Sequence, residues 1–409
     1  MSYFITNKYF TFILLIVLST VLQAQNNYYS SGADELIEHH LSEIQNRNIA
    51  VVTNKTAILK NGVHLIDALL DSNIQIKKVF TPEHGFKGNF EAGAFVSNET
   101  FADKNIKFVS LYGRNKKPKS EDLKDVDLIL YDIQDLGVRF YTYISTLYYV
   151  IEAAAENNIK VMILDRPDPL NGNFVNGPAI SENELSFIGI QPLPILYGMT
   201  PGELSLYFRD NIFDEIGKRA EIEIIKLKNW NRNSFLNEYD NEWISPSPNI
   251  PDFETALVYP GIALLEGTNI SEGRGTYSPF LKIGAPFIDG KSLADKLNGA
   301  DIRGVKFTEN SFTPISIKGM SENPKYKNEK CGGIKIQIID GYNLNSIDLG
   351  IKIIKTIQSL FPGKLKFNKH FYKLTGKRFY RNCFEQKSNC NYDDDLIEFK
   401  KIRKKYLIY

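Results

Sequence analysis

The fold is decided by residues 126–165, which read VDLILYDIQDLGVRFYTYISTLYYVIEAAAENNIKVMILD. Two short apolar runs, Val126 to Tyr131 and Ile159 to Leu164, stand on either side of a segment from Ile144 to Glu156 with helical spacing. Short, nearly continuous apolar strands that alternate with helices are typical of a parallel sheet covered on both faces. The stretch therefore predicts a strand–helix–strand unit of an α/β fold.

The same alternation extends along the rest of the chain. Further apolar runs of strand length lie at residues 49–52, 76–80 and 106–111, and residues 63–70 have helical spacing. A proline-rich passage at residues 245–251 indicates a rigid connection. We therefore predict a mostly parallel α/β domain over residues 33–250 and a smaller α/β domain over residues 251–409, the latter with strands at 304–307 and 334–339 and a helix at 346–360.

Polar residues follow the predicted strands of the first domain. They are Asn54, Glu83, His84, Asp132, Asp135, Asp165 and Arg166. In open parallel sheets, ligands bind beyond the carboxyl ends of the strands. If the strand predictions hold, one edge of the sheet collects these side chains, and we expect the functional site there.

Composition narrows the classes of partner. The chain of 409 residues has 49 basic and 48 acidic side chains and a net charge of +1. This balance gives no electrostatic reason to expect nucleic acid or a membrane surface as partner.

The first 24 residues have the pattern of a secretory signal. Lys8 precedes an apolar stretch that ends at Ala24 and is followed by Gln25. The stretch is shorter than the roughly 20 apolar residues of a spanning helix, so a retained anchor is the less favoured alternative. We expect a signal peptide at residues 1–24, export to the periplasm or the medium, and no stable membrane insertion of the mature chain. Cys383 and Cys390 are close enough to close a small loop under oxidising conditions, but spacing alone leaves their pairing open.

Several common catalytic patterns are missing from the sequence. The turn after the first strand, residues 53–57, contains no Gly-x-Gly-x-x-Gly, and the chain has neither a phosphate-binding Gly-Lys-Ser/Thr loop nor a Gly-x-Ser-x-Gly elbow. In an extended segment, Glu83 and His84 would point in opposite directions, which disfavours a shared metal ion. We expect no cofactor and no metal.

What remains is a set of carboxylates with Arg, Asn and Tyr. Chemistry of carboxylates without metal or cofactor is typical of glycoside hydrolysis, in which one carboxyl group protonates the leaving oxygen and a second attacks the sugar carbon or activates water. Glu83 opens a loop with Gly85, Gly88 and Gly93, and it is the candidate acid if that loop is desolvated. The polar, Gly-rich segment at residues 266–276 indicates a second binding loop.

Each of these candidates also has a structural interpretation. Glu83 fits a solvated turn, and Asp132 and Asp135 fit side chains that cap a loop. Asp165 and Arg166 fit an internal ion pair. The residues alone leave these alternatives open.

At these same positions the sequence resembles the NamZ-type exo-β-N-acetylmuramidases, a family long known as a domain of unknown function. The similar segments follow the same order over nearly the whole mature chain. They are residues 82–85, 111–113, 132–143, 164–167, 266–276 and 403–409. The resemblance implies a Rossmann-like first domain without a nucleotide and a smaller second domain. It also implies a hydrolase that removes β-1,4-linked N-acetylmuramic acid from the non-reducing ends of peptidoglycan fragments.

The resemblance also assigns residues. The family's catalytic Pro-Glu-His-Gly glutamate falls on Glu83, and Glu266 ranks first for the second carboxylate, ahead of Glu272, Asp135 and Asp165. The substrate's lactyl carboxylate suits a bidentate arginine, for which Arg139, Arg166 and Arg274 are candidates and Arg274 is preferred. The other predicted substrate contacts are His84, Asp132, Asp135, Tyr141, Asp165, Asn269 and Glu272.

One departure bears on activity. Relatives commonly carry Glu-Gly-Pro where this chain has Asn176-Gly177-Pro178. Asparagine keeps hydrogen bonding but supplies neither a proton nor a negative charge. A non-catalytic muropeptide-binding protein therefore stays an alternative, as does a metal-dependent hydrolase that uses Glu83, His84, Asp132 and Asp135.

Overall fold

The computed structural model describes residues 27–87, 100–101, 106–386 and 390–409. The predicted signal peptide at residues 1–24 lies outside the described residues, as do Gly88 and Gly93 of the predicted glycine-rich loop.

The first domain is built on a seven-stranded sheet. Its strands are β1 (Ile49–Thr53), β2 (Ile76–Thr81), β3 (Thr100–Phe101), β4 (Ile106–Ser110), β5 (Leu128–Asp132), β6 (Lys160–Leu164) and β7 (Ile222–Ile225). The strand order is β3-β4-β2-β1-β5-β6-β7, and all neighbours are parallel except the edge pair β3 and β4. The predicted mostly parallel sheet is confirmed.

Helices cover both faces of this sheet. They are α1 (Gly32–Glu35), α2 (Leu65–Asp71), α3 (Tyr143–Asn157) and α4 (Pro201–Ile216). Successive residues of β1 point to opposite faces, so Val52 joins the core on the α3 side, while Val51 joins the core on the α2 side. After α1, the chain continues as π and 3₁₀ turns to Glu43.

The second domain is a smaller α/β unit with an antiparallel sheet. Its elements are α5 (Phe253–Ile262), β8 (Lys282–Ala285), α6 (Gly290–Asn298), β9 (Val305–Phe312), β10 (Cys331–Ile338), α7 (Ser346–Leu360), α8 (Lys369–Thr375), α9 (Lys377–Tyr380) and α10 (Asp393–Arg403). The strand order is β8-β10-β9. The hydrophobic core runs without a break from the α3 face of the first domain into α5 and α7 of the second.

Residues 403–409 return to the first domain. Arg403 Nε donates to the carbonyl of Gly198 at 3.0 Å, and the Tyr409 hydroxyl donates to Asp165 Oδ2 at 2.7 Å. The backbone N–H of Ile408 donates to Glu203 Oε1 at 2.9 Å. This segment therefore supplies partners to buried carboxylates near the carboxyl end of β6.

The structure also bears on the pairing of the cysteines and on membrane-spanning helices. Cys383 and Cys390 form a disulfide, and Cys331 is a buried free thiol. Across the described ranges, we find no helix with the length and apolar character needed to cross a membrane.

Candidate active site

A cavity of about 280 Å³ opens where the carboxyl edge of the sheet meets the second domain. We call it the Glu83 cavity. The first domain contributes Glu83, His84, Tyr112, Phe140, Tyr141, Thr142, Tyr143, Phe187, Ile188, Ser247, Asn249 and Ile250. The second domain contributes Tyr259, Glu266, Arg274, Phe280, His370 and Leu374. Both domains are therefore needed to form this site.

Glu83 follows β2 and is 8% exposed. The Thr142 hydroxyl donates to Glu83 Oε2 at 2.5 Å. Thr142 stands at the N-cap of α3, but its side chain makes no capping hydrogen bond to that helix. The hydroxyl that would ordinarily cap a helix is thus used to orient a buried carboxyl group.

The backbone bends sharply after Glu83. His84 has φ of 72° and Gly85 has φ of 71°, and a positive φ is uncommon for a residue with a side chain. An extended segment would point Glu83 and His84 in opposite directions. The segment is instead a turn, and both side chains line the same cavity. Conformations of this kind persist where surrounding contacts impose them, and they cluster at functional sites.

Glu266 is the second carboxylate of the cavity, and its charge is held by a neighbouring arginine. Arg274 donates to Glu266 Oε1 from Nη2 at 2.7 Å and from Nε at 3.2 Å, and His370 Nε2 lies 3.7 Å from Oε2. Burial raises the pKa of Glu266, but Arg274 and His370 outweigh burial and lower the pKa to about 2. Glu266 is therefore ionised at neutral pH.

The rest of the Gly-rich loop forms a charge-balanced cluster behind the cavity wall. Glu272 is buried, with Lys325 Nζ 2.9 Å from Oε2 and Arg274 Nε 3.6 Å from Oε1. Asn269 accepts a hydrogen bond from the backbone of Lys366 and does not line the cavity. Of the predicted contacts in this loop, only Glu266 and Arg274 reach the Glu83 cavity.

The acidic residues at the ends of β5 and β6 lie outside the cavity. Asp132 forms a buried ion pair with Arg166, through distances of 2.6 Å to Nε and 2.9 Å to Nη2. Asp165 accepts hydrogen bonds from Thr200 and Tyr409. These three predicted substrate contacts hold the sheet edge together, because their polar atoms are already paired within the protein.

Asp135 and Arg139 also form hydrogen bonds within the protein, although Asp135 Oδ1 and Arg139 Nε have no partner among the described residues. Asp135 accepts hydrogen bonds from the Tyr197 hydroxyl and from the Gly137 backbone, and burial raises its pKa to about 6. Arg139 is fully buried, and its guanidinium donates to main-chain carbonyls at Pro178, Leu193 and Leu374. Neither residue lines the Glu83 cavity, so the structure does not bring these predicted contacts to the site.

Aromatic rings form much of the cavity wall. Tyr141, predicted to meet the sugar, lines the cavity and packs edge-on against Tyr143 at 4.9 Å. Tyr259 packs edge-on against Phe280 at 4.9 Å, and the Arg274 guanidinium lies 5.1 Å from the Phe280 ring. Phe280 also has a positive φ of 61°.

Sequence reasoning missed several lining residues. Thr142, Asn249, Tyr259, Phe280 and His370 had no assigned role. Asn249 is 1% exposed, and its Nδ2 donates to the Met320 carbonyl at 2.7 Å, which identifies the other amide atom as the oxygen. That oxygen has no hydrogen-bond partner among the described residues. A polar residue within the proline-rich passage was the available signal for Asn249, whereas the sequence around Tyr259 and His370 gave none.

Asn176, the departure from the family pattern, lies away from this site. Its Nδ2 donates to Asn345 Oδ1 at 2.8 Å, and its Oδ1 accepts from the Tyr392 hydroxyl at 3.0 Å. Asn176 therefore joins the two domains and is not among the lining residues of the Glu83 cavity.

The residues of the metal-dependent alternative do not form a group. Both oxygens of Asp132 are engaged by Arg166, and Asp135 is paired elsewhere. In the part of the chain that the structure describes, only Glu35, Glu38 and His39 bring three metal-ligating atoms together, and none of these three residues lines the Glu83 cavity.

A buried glutamate and an ionised second carboxylate that face one small aromatic cavity define the class of a carboxylate-based glycosidase. The model of the N-terminal domain of the exo-β-N-acetylmuramidase NamZ matches residues 49–254, and the model of its C-terminal domain matches residues 257–409. The chain belongs to this NamZ family of exo-β-N-acetylmuramidases.

Individual relatives agree with this placement. The chain is 38% identical over 387 residues to the peptidoglycan β-N-acetylmuramidase NamZ of Bacillus subtilis (strain 168), covering 93% of this chain and 91% of the relative. Two crystal structures of DUF1343 family proteins from Bacteroides fragilis NCTC 9343 are also similar. They have TM-scores of 0.83 and 0.75 at 28% and 31% identity, and each comparison covers 93% of this chain and 99% of the other.

Proposed function

We propose that this protein is an exo-acting β-N-acetylmuramidase that releases N-acetylmuramic acid from the non-reducing ends of peptidoglycan fragments. The observation that carries the proposal is the pair formed by Glu83 and Glu266 on the wall of one cavity. The name of the Bacillus subtilis relative supplies the substrate class.

The two carboxyl groups have different environments and therefore different roles. Glu83 is buried and accepts a hydrogen bond from the Thr142 hydroxyl. As the acid, Glu83 protonates the glycosidic oxygen while the bond between that oxygen and the anomeric carbon breaks. Glu266, kept ionised by Arg274, faces the positive charge that develops at that carbon. It acts there as the nucleophile or as the base that activates water.

The dimensions and lining of the cavity support exo action. At about 280 Å³ it is slightly smaller than most ligand sites, which span about 300–1,000 Å³. This is a volume for one sugar rather than for a glycan chain. The aromatic rings offer faces for the sugar's C–H groups. The Asn249 oxygen, which has no partner among the described residues, offers an acceptor for a hydroxyl or an acetamido N–H.

Export to the periplasm or the medium is part of the proposal. Residues 1–24 have the pattern of a secretory signal, and the disulfide between Cys383 and Cys390 is of the kind that persists in oxidising compartments. Detection of the processed protein in the periplasmic or culture fraction tests this point.

The decisive experiment is incubation with a defined disaccharide, N-acetylmuramic acid β-1,4-linked to N-acetylglucosamine, with identification of products by mass spectrometry. We expect the wild type to release both sugars, and Glu83→Gln to fold normally yet lose turnover by about 100-fold or more. Glu121→Gln, at an exposed side chain that is not among the lining residues of the cavity, is the matched control and should retain full activity.

Two outcomes would contradict the proposal. Turnover by Glu83→Gln near the wild-type rate would remove Glu83 from the mechanism. Binding of the disaccharide by the wild type without hydrolysis would favour the muropeptide-binding alternative. A parallel assay with a chelator tests the metal-dependent alternative. We expect full activity after exhaustive chelation, which would exclude that alternative.

A further inference from the structure

An aromatic cluster stands at the edge of the Glu83 cavity. Phe187 lines the cavity, and its ring lies 5.9 Å from Tyr112 and stacks at 6.3 Å on Tyr149, with 12° between the planes. We call these three rings the Phe187 platform. Lys116 Nζ lies 4.6 Å from the centre of the Phe187 ring, which places a cation against a residue of the cavity wall.

Within the described residues, Lys116 differs from its neighbours Lys117 and Lys119 in having no carboxylate partner. Lys117 is paired with Glu152 and Glu156 at 2.8 Å each, and Lys119 is paired with Glu121 at 3.3 Å. Lys116 makes no ion pair with any residue of the described ranges, and only the ring holds its ammonium group. A cation–π contact at a partly exposed site is weak enough to be exchanged for a contact with an anion.

The cavity itself has no surplus positive charge for an anionic substrate. Arg274 is the only arginine or lysine among the described lining residues, and it is shared between Glu266 and Glu272. Arg139 and Arg166, the other predicted anion partners, are buried and paired outside the cavity. An anion that enters beside Glu83 and Glu266 therefore needs a cation from the rim.

We propose that Lys116, held on the Phe187 platform, is a specificity-determining residue that binds a substrate carboxylate at the cavity mouth. The inference rests on the proposed function, because it assumes that a muramyl sugar enters this cavity. Two carboxylates have this chemistry: the lactyl group of the terminal sugar and the acidic groups of an attached peptide. Either one distinguishes a muramyl substrate from N-acetylglucosamine, which carries no carboxylate.

The test measures binding, so that it does not depend on turnover. Dissociation constants are determined by calorimetry for N-acetylmuramic acid, N-acetylglucosamine and N-acetylmuramoyl dipeptide, with Glu83→Gln and with the double variant Glu83→Gln/Lys116→Met. We expect Lys116→Met to raise Kd for a carboxylate-bearing probe about five- to tenfold, the range for a partly exposed charged hydrogen bond, and to leave N-acetylglucosamine unchanged. An effect on N-acetylmuramic acid identifies the lactyl group, and an effect on the dipeptide alone identifies the peptide.

Three matched variants sharpen the result. Lys116→Arg should keep most of the discrimination, since a guanidinium also stacks on a ring and pairs with carboxylates. Lys119→Met removes a nearby surface charge without a cavity contact and should change no Kd. In the otherwise wild-type enzyme, Lys116→Met should raise KM for the muramyl disaccharide and leave kcat unchanged.

The inference is overturned if Lys116→Met leaves the ratio of Kd values intact, if it weakens all three probes equally, or if Lys119→Met has the same effect. It is also overturned if His370→Gln, rather than Lys116→Met, abolishes the discrimination. Failure of the proposed function has a different outcome, in which the wild type binds N-acetylmuramic acid selectively but does not hydrolyse the disaccharide.

Discussion

Replacement of Arg274 by Met removes the cation that keeps Glu266 ionised. In the wild type, Arg274 donates two hydrogen bonds to Glu266 and lies 3.6 Å from Glu272. Met has similar length and no charge, so the variant retains much of the packing against Phe280 while both carboxylates lose a partner. Breaking a largely buried pair from one side leaves an uncompensated charge, which costs more than the pair contributed.

The magnitude follows from the pKa of Glu266. Arg274 and His370 hold it at about 2 against an ordinary 4.5, a depression worth about 3 kcal/mol at roughly 1.4 kcal/mol per pH unit. Because 21% of the side chain is exposed, solvent screening reduces the expected loss to about 2 kcal/mol. A depressed carboxyl pKa stabilises the fold above the unfolded pKa, and that stabilisation is lost as the pH falls through about 2.

In the Arg274→Met variant, burial then raises the pKa of Glu266. The penalty for its charge is therefore largest at neutral pH and shrinks once the carboxyl group is protonated. We expect Tm at pH 7 to fall by about 4 °C, since 1 kcal/mol shifts Tm by about 2 °C in a chain of this size. At pH 4 the difference between wild type and variant should be clearly smaller.

The assay is thermal unfolding followed by circular dichroism at pH 7 and pH 4, together with turnover of the disaccharide at pH 7. Lys291→Met, which breaks the exposed pair with Asp295, is the control and should shift Tm by less than about 1 °C. A Tm for Arg274→Met within 1 °C of the wild type at pH 7, or an equal loss at both pH values, would refute the reasoning. Activity at pH 7 should fall with stability, because Glu266 loses the two hydrogen bonds from Arg274 that hold its carboxylate in place.

Three further predictions follow from particular contacts. Thr142→Val removes the hydroxyl that orients Glu83 and should lower kcat/KM about tenfold or more with little change in Tm, whereas Thr142→Ser should retain most activity; steady-state kinetics on the disaccharide checks both. Asn176→Glu restores the family's residue at an interdomain contact, so kcat should stay within about twofold of the wild type while contacts with Asn345 and Tyr392 weaken; a large gain in kcat would show that the position acts in catalysis. Replacing Cys383 and Cys390 by Ala opens a short loop and should reduce the free energy of unfolding by about 2–3 kcal/mol, measured by urea denaturation; unchanged stability would contradict this.

The sheet could be predicted because most of its strands are visible in the sequence as short apolar runs. The runs that became β1, β5 and β6 are nearly continuous apolar segments, as a strand buried on both faces must be, and β2 and β4 end in buried residues after one or two lysines. The start of α4 was also readable, since Thr200, Pro201 and Glu203 form a capping box with proline in the first turn. In the second domain, β8 escaped prediction, because four residues that include Gly284 show too little of a strand pattern.

The site was predictable at Glu83 and less so around it. A residue that follows a strand can be placed at the carboxyl edge of the sheet. The sequence does not show whether its side chain faces a cavity or the interior of the protein. Asp132 and Asp165 turned inward, because Arg166 and Tyr409 satisfy them there. Tyr259 and His370 reach Glu83 only through tertiary packing, and nothing near them in sequence points to it.

The left-handed backbone conformation of His84 could not be predicted from the sequence either. Its positive φ turns the chain after Glu83 and brings two adjacent side chains to one cavity, in contrast to the alternation of an extended segment. Such a conformation is imposed by tertiary contacts and has no signature in a residue other than Gly or Asn.

The return of residues 403–409 to the first domain has a consequence for the order of folding. Asp165 and Glu203 lie in the first domain, yet their partners at Tyr409 and Ile408 are synthesised some two hundred residues later. Until those residues arrive, both carboxylates are buried with incomplete hydrogen bonding, which penalises the folded state of the isolated first domain. The boundary between the domains in sequence is therefore not a boundary between independent folding units. A nascent chain therefore stays short of its native state until nearly all of it is available.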